Sequence, residues 1–105
     1  MSDIEKIRAL NDELRQHLIG GLAVMTPGVM ALGPNVVETA VKAIAVFDDF
    51  CHANDPYGEH DFGAIEIEGE PVFFKIDLYE EPDVKDANGE PVVTRVLTIM
   101  LAEEY

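Results

Sequence analysis

Cys51 is the single cysteine in a chain of 105 residues. No intramolecular disulfide can form, and a cysteine-based zinc site lacks its ligands. One unpaired thiol suits a reducing compartment. Bases are scarce too: seven Lys and Arg stand against 21 Asp and Glu, for a net charge of −14. Such a surface repels nucleic-acid phosphates and anionic lipid, so direct nucleic acid binding and membrane association are not expected. No apolar run is long enough to span a bilayer. The opening Ser2-Asp3-Ile4-Glu5-Lys6 is charged and lacks the apolar core of a signal peptide, so the expected location is cytoplasmic. Solenoid repeats, low-complexity tracts and interdomain linkers are absent as well.

What is present is a globular composition, 48% hydrophobic. The length predicts one domain over residues 1–105 with one modest core. The charge is divided unevenly. Residues 1–47 carry five acids and four bases, a net of −1, whereas residues 48–105 carry sixteen acids and three bases, a net of −13. The acidic half would attract a cation or a basic protein partner; it would also serve plain solubility.

Helical spacing of Ile4, Ile7, Leu10, Leu14, His17 and Leu18 predicts an amphipathic helix over 2–19. Ser2 and Glu5 form a capping-box pattern at its start, and Gly20-Gly21 is its stop. Two short apolar runs flank Thr26-Pro27-Gly28, which predicts a β-hairpin within 22–32. Asn35, with Glu38 three residues on, is the expected N-cap of a second helix running to about Ala53. That helix is apolar nearly all round, so it is the expected central helix, with Cys51 packed in the core. Period-two alternation then marks strands at 62–68, 72–79 and 92–101. Gly69-Glu70-Pro71 joins the first two, and an acidic loop, 80–91, joins the last two. The expected fold is α+β: two helices packed on one face of a three-stranded antiparallel β-meander, with a short β-hairpin between the helices.

Between the second helix and the first strand lies Asn54-Asp55-Pro56-Tyr57-Gly58-Glu59-His60-Asp61-Phe62-Gly63, the segment densest in reactive groups. Asp55-Pro56-Tyr57-Gly58 has the residues of a type I turn, and Asn54 suits a helix end. Turn chemistry does not call for Glu59, His60 and Asp61. In an extended chain Glu59 and Asp61 share one side, where they would hold a cation or share a proton. His60 takes the other side, as a general acid or base or as a staple to a carboxylate. These three are the catalytic candidates. Asp48, Asn54, Asp55, Tyr57, Glu59, His60 and Asp61 form the candidate binding set. Asp48 and His52, four apart on the expected helix, share a face that His60 or Asp61 would complete as a nitrogen–oxygen metal set. That spacing matches no established metal signature, so neither a metal nor a cofactor is expected. Arg95, in an otherwise apolar register, needs a partner if buried, and Asp61 is the expected one.

Asn11-Asp12-x-Leu14-Arg15, Gly20-Gly21, Thr26-x-Gly28-Val29, Phe47-Asp48-Asp49-Phe50, the 54–63 segment, Lys75-Ile76-Asp77 and the run from Thr94 to Tyr105 together resemble a bacterial family catalogued as domain of unknown function 3768. The resemblance covers nearly the whole chain. Glu59-His60-Asp61-Phe62-Gly63 and Arg95-Val96-Leu97-Thr98-Ile99-Met100-Leu101-Ala102 are its specific strings, and Leu78 departs from its pattern. It implies a stand-alone cytoplasmic protein, often carried on plasmids and other mobile elements, and it implies no activity.

Two readings of function follow. The first is a non-enzymatic binding protein that presents its acidic face to a basic partner, such as a nucleic-acid-binding protein of a host defence or replication system. The second is a small hydrolase or metal-dependent enzyme using Glu59, His60 and Asp61. The sequence leaves homo-oligomer formation open.

Overall fold

The computed structural model describes residues 2–105. Helix α1 spans Asp3–His17, and its first turn is closed by the Ser2/Glu5 capping box read from the sequence. It ends earlier than the glycine pair: Leu18, at φ 56°, takes the left-handed cap position, and its N–H donates to the Leu14 carbonyl. Strand β1 (Leu22–Met25) follows. A one-turn helix, α2 (Pro27–Met30), and helix α3 (Pro34–Val46) come next. Strands β2 (Phe62–Ile67), β3 (Glu70–Lys85) and β4 (Pro91–Leu101) complete the sheet, and a short 3₁₀ turn covers Ala102–Glu104. Among the described residues no helix is long and apolar enough to cross a membrane.

The α+β class holds, but the sheet has four strands in the order β1-β4-β3-β2. The expected hairpin at 22–32 does not form. Its first run becomes β1, which pairs parallel to β4 (Leu22 opposite Val96, Met25 opposite Ile99). Its second run becomes α2, because Thr26 caps the Val29 N–H and Pro27 sits at the first helical position, where a missing N–H costs nothing. The remaining strands form the antiparallel meander as read.

The helix boundaries also differ. Gly33, not Asn35, is the N-cap of α3, and α3 stops at Val46 rather than near Ala53. Cys51 is therefore exposed, outside any helix. Asp48 and His52 likewise lie beyond the helix, so the shared helical face expected of them does not exist.

Two strands joined by Glu68 and Gly69, both at positive φ (51° and 83°), make a two-residue turn that matches the twist of a hairpin. The acidic segment 80–91 is mostly strand. β3 runs on to Lys85, with a register irregularity between Glu81 and Lys85 where Pro82 withholds a ladder donor. The tip is tightened by Asp86, whose carboxylate accepts from the Asn88 and Glu90 N–H groups at 2.8 and 3.1 Å.

The core lies on one face of the sheet. Val72, Phe74, Ile76, Leu97, Ile99 and Leu101 alternate inward and meet Leu14, Val29, Ala40 and Ile44 from the helices. Phe47 and Phe50, just past α3, pack edge-on against Phe74 at 5.3 and 6.4 Å. Gly63 faces this cluster, where a Cβ would collide with the Phe74 and Phe47 rings. Among the described residues no α-helix covers the opposite sheet face. Phe62, Phe73 and Tyr105 form an aromatic trio there, with centroids 5.2–5.8 Å apart.

Candidate functional site

The 47–61 segment is a loop gripped by α1. Arg8, Asn11, Asp12 and Arg15 fall at helical spacing on one stripe, and this polar stripe faces inward. Asn11 and Arg15 are nearly fully buried, whereas Leu10 is 47% exposed. Arg15 explains the inversion. Its guanidinium donates to the carbonyls of Ile44 (2.8 Å), Ala45 (3.3 Å) and Phe47 (2.7 Å) and to the Asp12 carboxylate (2.8 Å). The last carbonyls of a helix lack intrahelical partners and carry partial negative charge, so a cation there both satisfies and terminates α3. The Arg15 guanidinium also lies 5.2 Å from the centre of the Phe50 ring.

Further along the loop the grip continues through backbone groups. Arg8 Nε donates to the Gly58 carbonyl, and Asn11 Nδ2 donates to the Glu59 carbonyl at 2.9 Å. Asn54 ties the loop to itself, accepting from the Cys51 N–H and donating to the Asp49 carbonyl. Asp55, buried, accepts from the N–H groups of Glu59 and His60 at 3.0 and 3.1 Å. Gly58, at φ 70°, closes the turn with its N–H on the Asp55 carbonyl, at 3.1 Å.

His60 sits at φ 55°, a left-handed conformation uncommon outside glycine. Its ring stacks flat on Phe50, with centroids 3.9 Å apart and planes within 5°. Nδ1 lies 2.9 Å from Asp12 Oδ1, and Nε2 lies 3.9 Å from Asp55 Oδ2. A cleft of about 330 Å³, lined in part by Asp12, Arg15, Asp48, Phe50 and His60, opens beside the ring. A histidine paired to a carboxylate at a cleft can move a proton. Among the described residues no hydroxyl or thiol contacts His60, so no serine- or cysteine-type nucleophile is paired with it.

The three catalytic candidates do not converge. Glu59 is held through its backbone N–H and carbonyl. Asp61 lines a different cleft, of about 410 Å³, with Asn54, Lys75, Asp77 and Tyr105. Burial raises the Asp61 carboxyl above its ordinary value, and the nearby Asp55 and Asp77 charges add to the rise. Asp48 stays exposed at the rim of the His60 cleft, and Tyr57 is exposed on the turn. Among the described residues no group of three or more His, Cys, Asp or Glu is placed to hold a metal ion.

Arg95 does not pair with Asp61. Its guanidinium donates to Asn11 Oδ1, while Nδ2 of the same amide holds Glu59. Arg95 stands opposite Leu78, three residues along β3 from Lys75, which faces Phe62 beside Asp61, and it reaches Asn11 of α1 instead. Burial lowers the Arg95 pKa, as a neutral amide partner gives no charge to offset desolvation. Sequence reasoning noted Asn11, Asp12, Arg15 and Phe50 only as motif residues, and gave neither them nor Arg8 a place at the site. The signal was present in Arg8, Asn11, Asp12 and Arg15, whose spacing puts polar groups on one helical stripe.

A family model described as protein of unknown function (DUF3768) matches residues 25–104. The chain belongs to this family. The match takes in the whole 47–61 loop and strands β2 to β4, and begins after α1. No curated protein and no solved structure matches the chain.

Proposed function

We propose that this DUF3768 chain is a non-enzymatic binding protein that presents an acidic surface to a basic protein partner. The carrying observation is the β3–β4 arm. Residues 78–90 are all exposed, and they hold Glu80, Glu81, Asp83, Asp86 and Glu90 against the single base Lys85. The radius of gyration is 14.7 Å, against about 13 Å for a compact chain of this length. An acidic two-stranded ribbon that extends from its domain offers both backbone edges and a field that speeds encounter with a cationic surface. A nucleic-acid-binding protein is the partner class with the matching charge. A plasmid or phage accessory role, counter-defence included, would supply such partners.

What favours the binding reading over the hydrolase or metal-enzyme reading is that Glu59, His60 and Asp61 do not converge on one cleft. Both His60 ring nitrogens face carboxylates, and the flat stack on Phe50 holds the ring against the aromatic cluster. This is how a loop is fastened, whatever else the cleft accommodates.

The test is comparative capture from bacterial lysate, using the native chain and a variant with Glu80→Gln, Glu81→Gln and Asp83→Asn. A basic protein should be retained by the native chain at low salt, elute as salt rises, and be lost with the variant. Equal capture by both chains, or no capture at low salt, refutes the proposal.

A further inference from the structure

We infer that the free edge of β1 pairs with the β1 edge of a second copy of this chain, forming a two-fold dimer. β1 is the edge strand of the sheet, and among the described residues only β4 pairs with it. Thr26 donates its N–H to Ile99 on β4. Strand alternation then turns the N–H and C=O of Leu22 and Val24 towards β4 and those of Ala23 and Met25 outwards. Among the described residues no backbone hydrogen bond reaches that outer side.

Natural sheets protect an open edge with charge, proline, a bulge or a covering segment. β1 carries no charge, proline or bulge, and its protection is its shortness, four residues. Leu18 (51% exposed), Ile19 (55%), Leu22 (56%) and Val24 (44%) leave its approach and its open face apolar.

Charge selects the occupant. Residues 18–37 contain no ionisable side chain, in a chain of net charge −14. A two-fold interface sets each patch against its own copy, so any charge near the axis meets its like. The acidic half, at net −13, cannot meet itself cheaply; β1 can, since it carries no charge of its own and its charged neighbour, Glu104, is held on Thr26 and Gly28 past the end of the strand. An antiparallel meeting of two identical edges is also self-complementary in hydrogen bonding, since outward donors and acceptors alternate along each. A basic partner would gain nothing from this face, which separates the dimer edge from the acidic arm.

Sedimentation equilibrium across a concentration series tests the inference. The native chain should pass from 11.6 kDa to twice that mass, and added salt should strengthen the association by screening the acidic halves. Salt has the opposite effect on capture of a basic partner. Val24→Glu, which sets like charges near the axis, should weaken dimerisation by about tenfold or more. Ala23→Pro removes an outward donor that β4 does not use, and should act in the same direction. Unchanged far-UV circular dichroism establishes that both variants fold. Amide exchange then locates the contact: Ala23 and Met25 should be protected in the native dimer and exchange in Val24→Glu. A native chain that stays at 11.6 kDa at high concentration and high salt overturns the inference and leaves the edge to a foreign strand. So does a dimer whose Ala23 and Met25 amides exchange freely, or one that both variants form as tightly as the native chain.

Discussion

Replacing Arg15 by methionine removes the cation that joins α1 to the end of α3 while keeping most of the buried stem. In the native fold Arg15 is 3% exposed and reaches three backbone carbonyls and one carboxylate. Methionine leaves the carbonyls of Ile44, Ala45 and Phe47 without this donor and leaves Asp12 with only the His60 ring. Removing one partner of a buried ionic network costs about 3–5 kcal/mol. A domain of this size has about 5–15 kcal/mol in total, so the loss is a large fraction of it. With a urea dependence of about 1.5 kcal/mol per molar, the unfolding midpoint should fall by about 2–3 M without a change of slope. Arg15→Lys retains the charge but not the planar fork, and should recover part of the loss, leaving a deficit of about 1–3 kcal/mol. The 47–61 loop should also show faster amide exchange in the methionine variant, since its anchor on α3 is gone. A midpoint within about 0.5 M of the native value would mean that the carbonyls find water or other donors at little cost. In that case the clamp would not be what ends α3.

Asp61→Asn should raise stability at neutral pH. The native carboxyl titrates above its ordinary 3.8 because burial opposes its charge, with Asp55 and Asp77 adding repulsion. Ionisation is therefore harder in the folded state than in the unfolded one. The resulting penalty is absent well below 3.8, grows as pH rises through the folded value, and is complete at neutral pH. Urea midpoints of the two chains should differ at pH 7 and converge at acid pH; a lower midpoint for the asparagine variant at pH 7 would refute this. Gly63→Ala should cost about 1–3 kcal/mol in the same assay, since the added methyl meets the Phe74 and Phe47 rings inside the packed aromatic cluster. No loss there would mean that the rings shift freely.

Local patterns were legible wherever a local cause was sufficient. The Ser2/Glu5 capping box needs residues three apart. The alternation in β2, β3 and β4 follows from one covered sheet face, and the Asp55 turn follows from its own four residues. Those features, with the α+β class and the location of the acidic half, could be read in order along the chain. Tertiary contacts settled the rest. The apolar pattern of 34–53 continues past Val46, but Arg15, about thirty residues upstream, takes the carbonyls that the next turn would have used. The freed segment sends Phe47 and Phe50 onto Phe74 instead. Beside the buried Leu14, α1 presents a polar stripe inwards because what that stripe meets is loop backbone, rich in unpaired carbonyls. The run 22–25 has the composition of a strand in any register, and its parallel place beside β4 comes from residues more than seventy positions away. His60 and Asp61 are adjacent in sequence yet line separate clefts, since the left-handed turn at His60 redirects the chain between them. Which polar groups share a site depends on which backbone ends must be satisfied across the fold, and spacing along the chain carries no record of those partners.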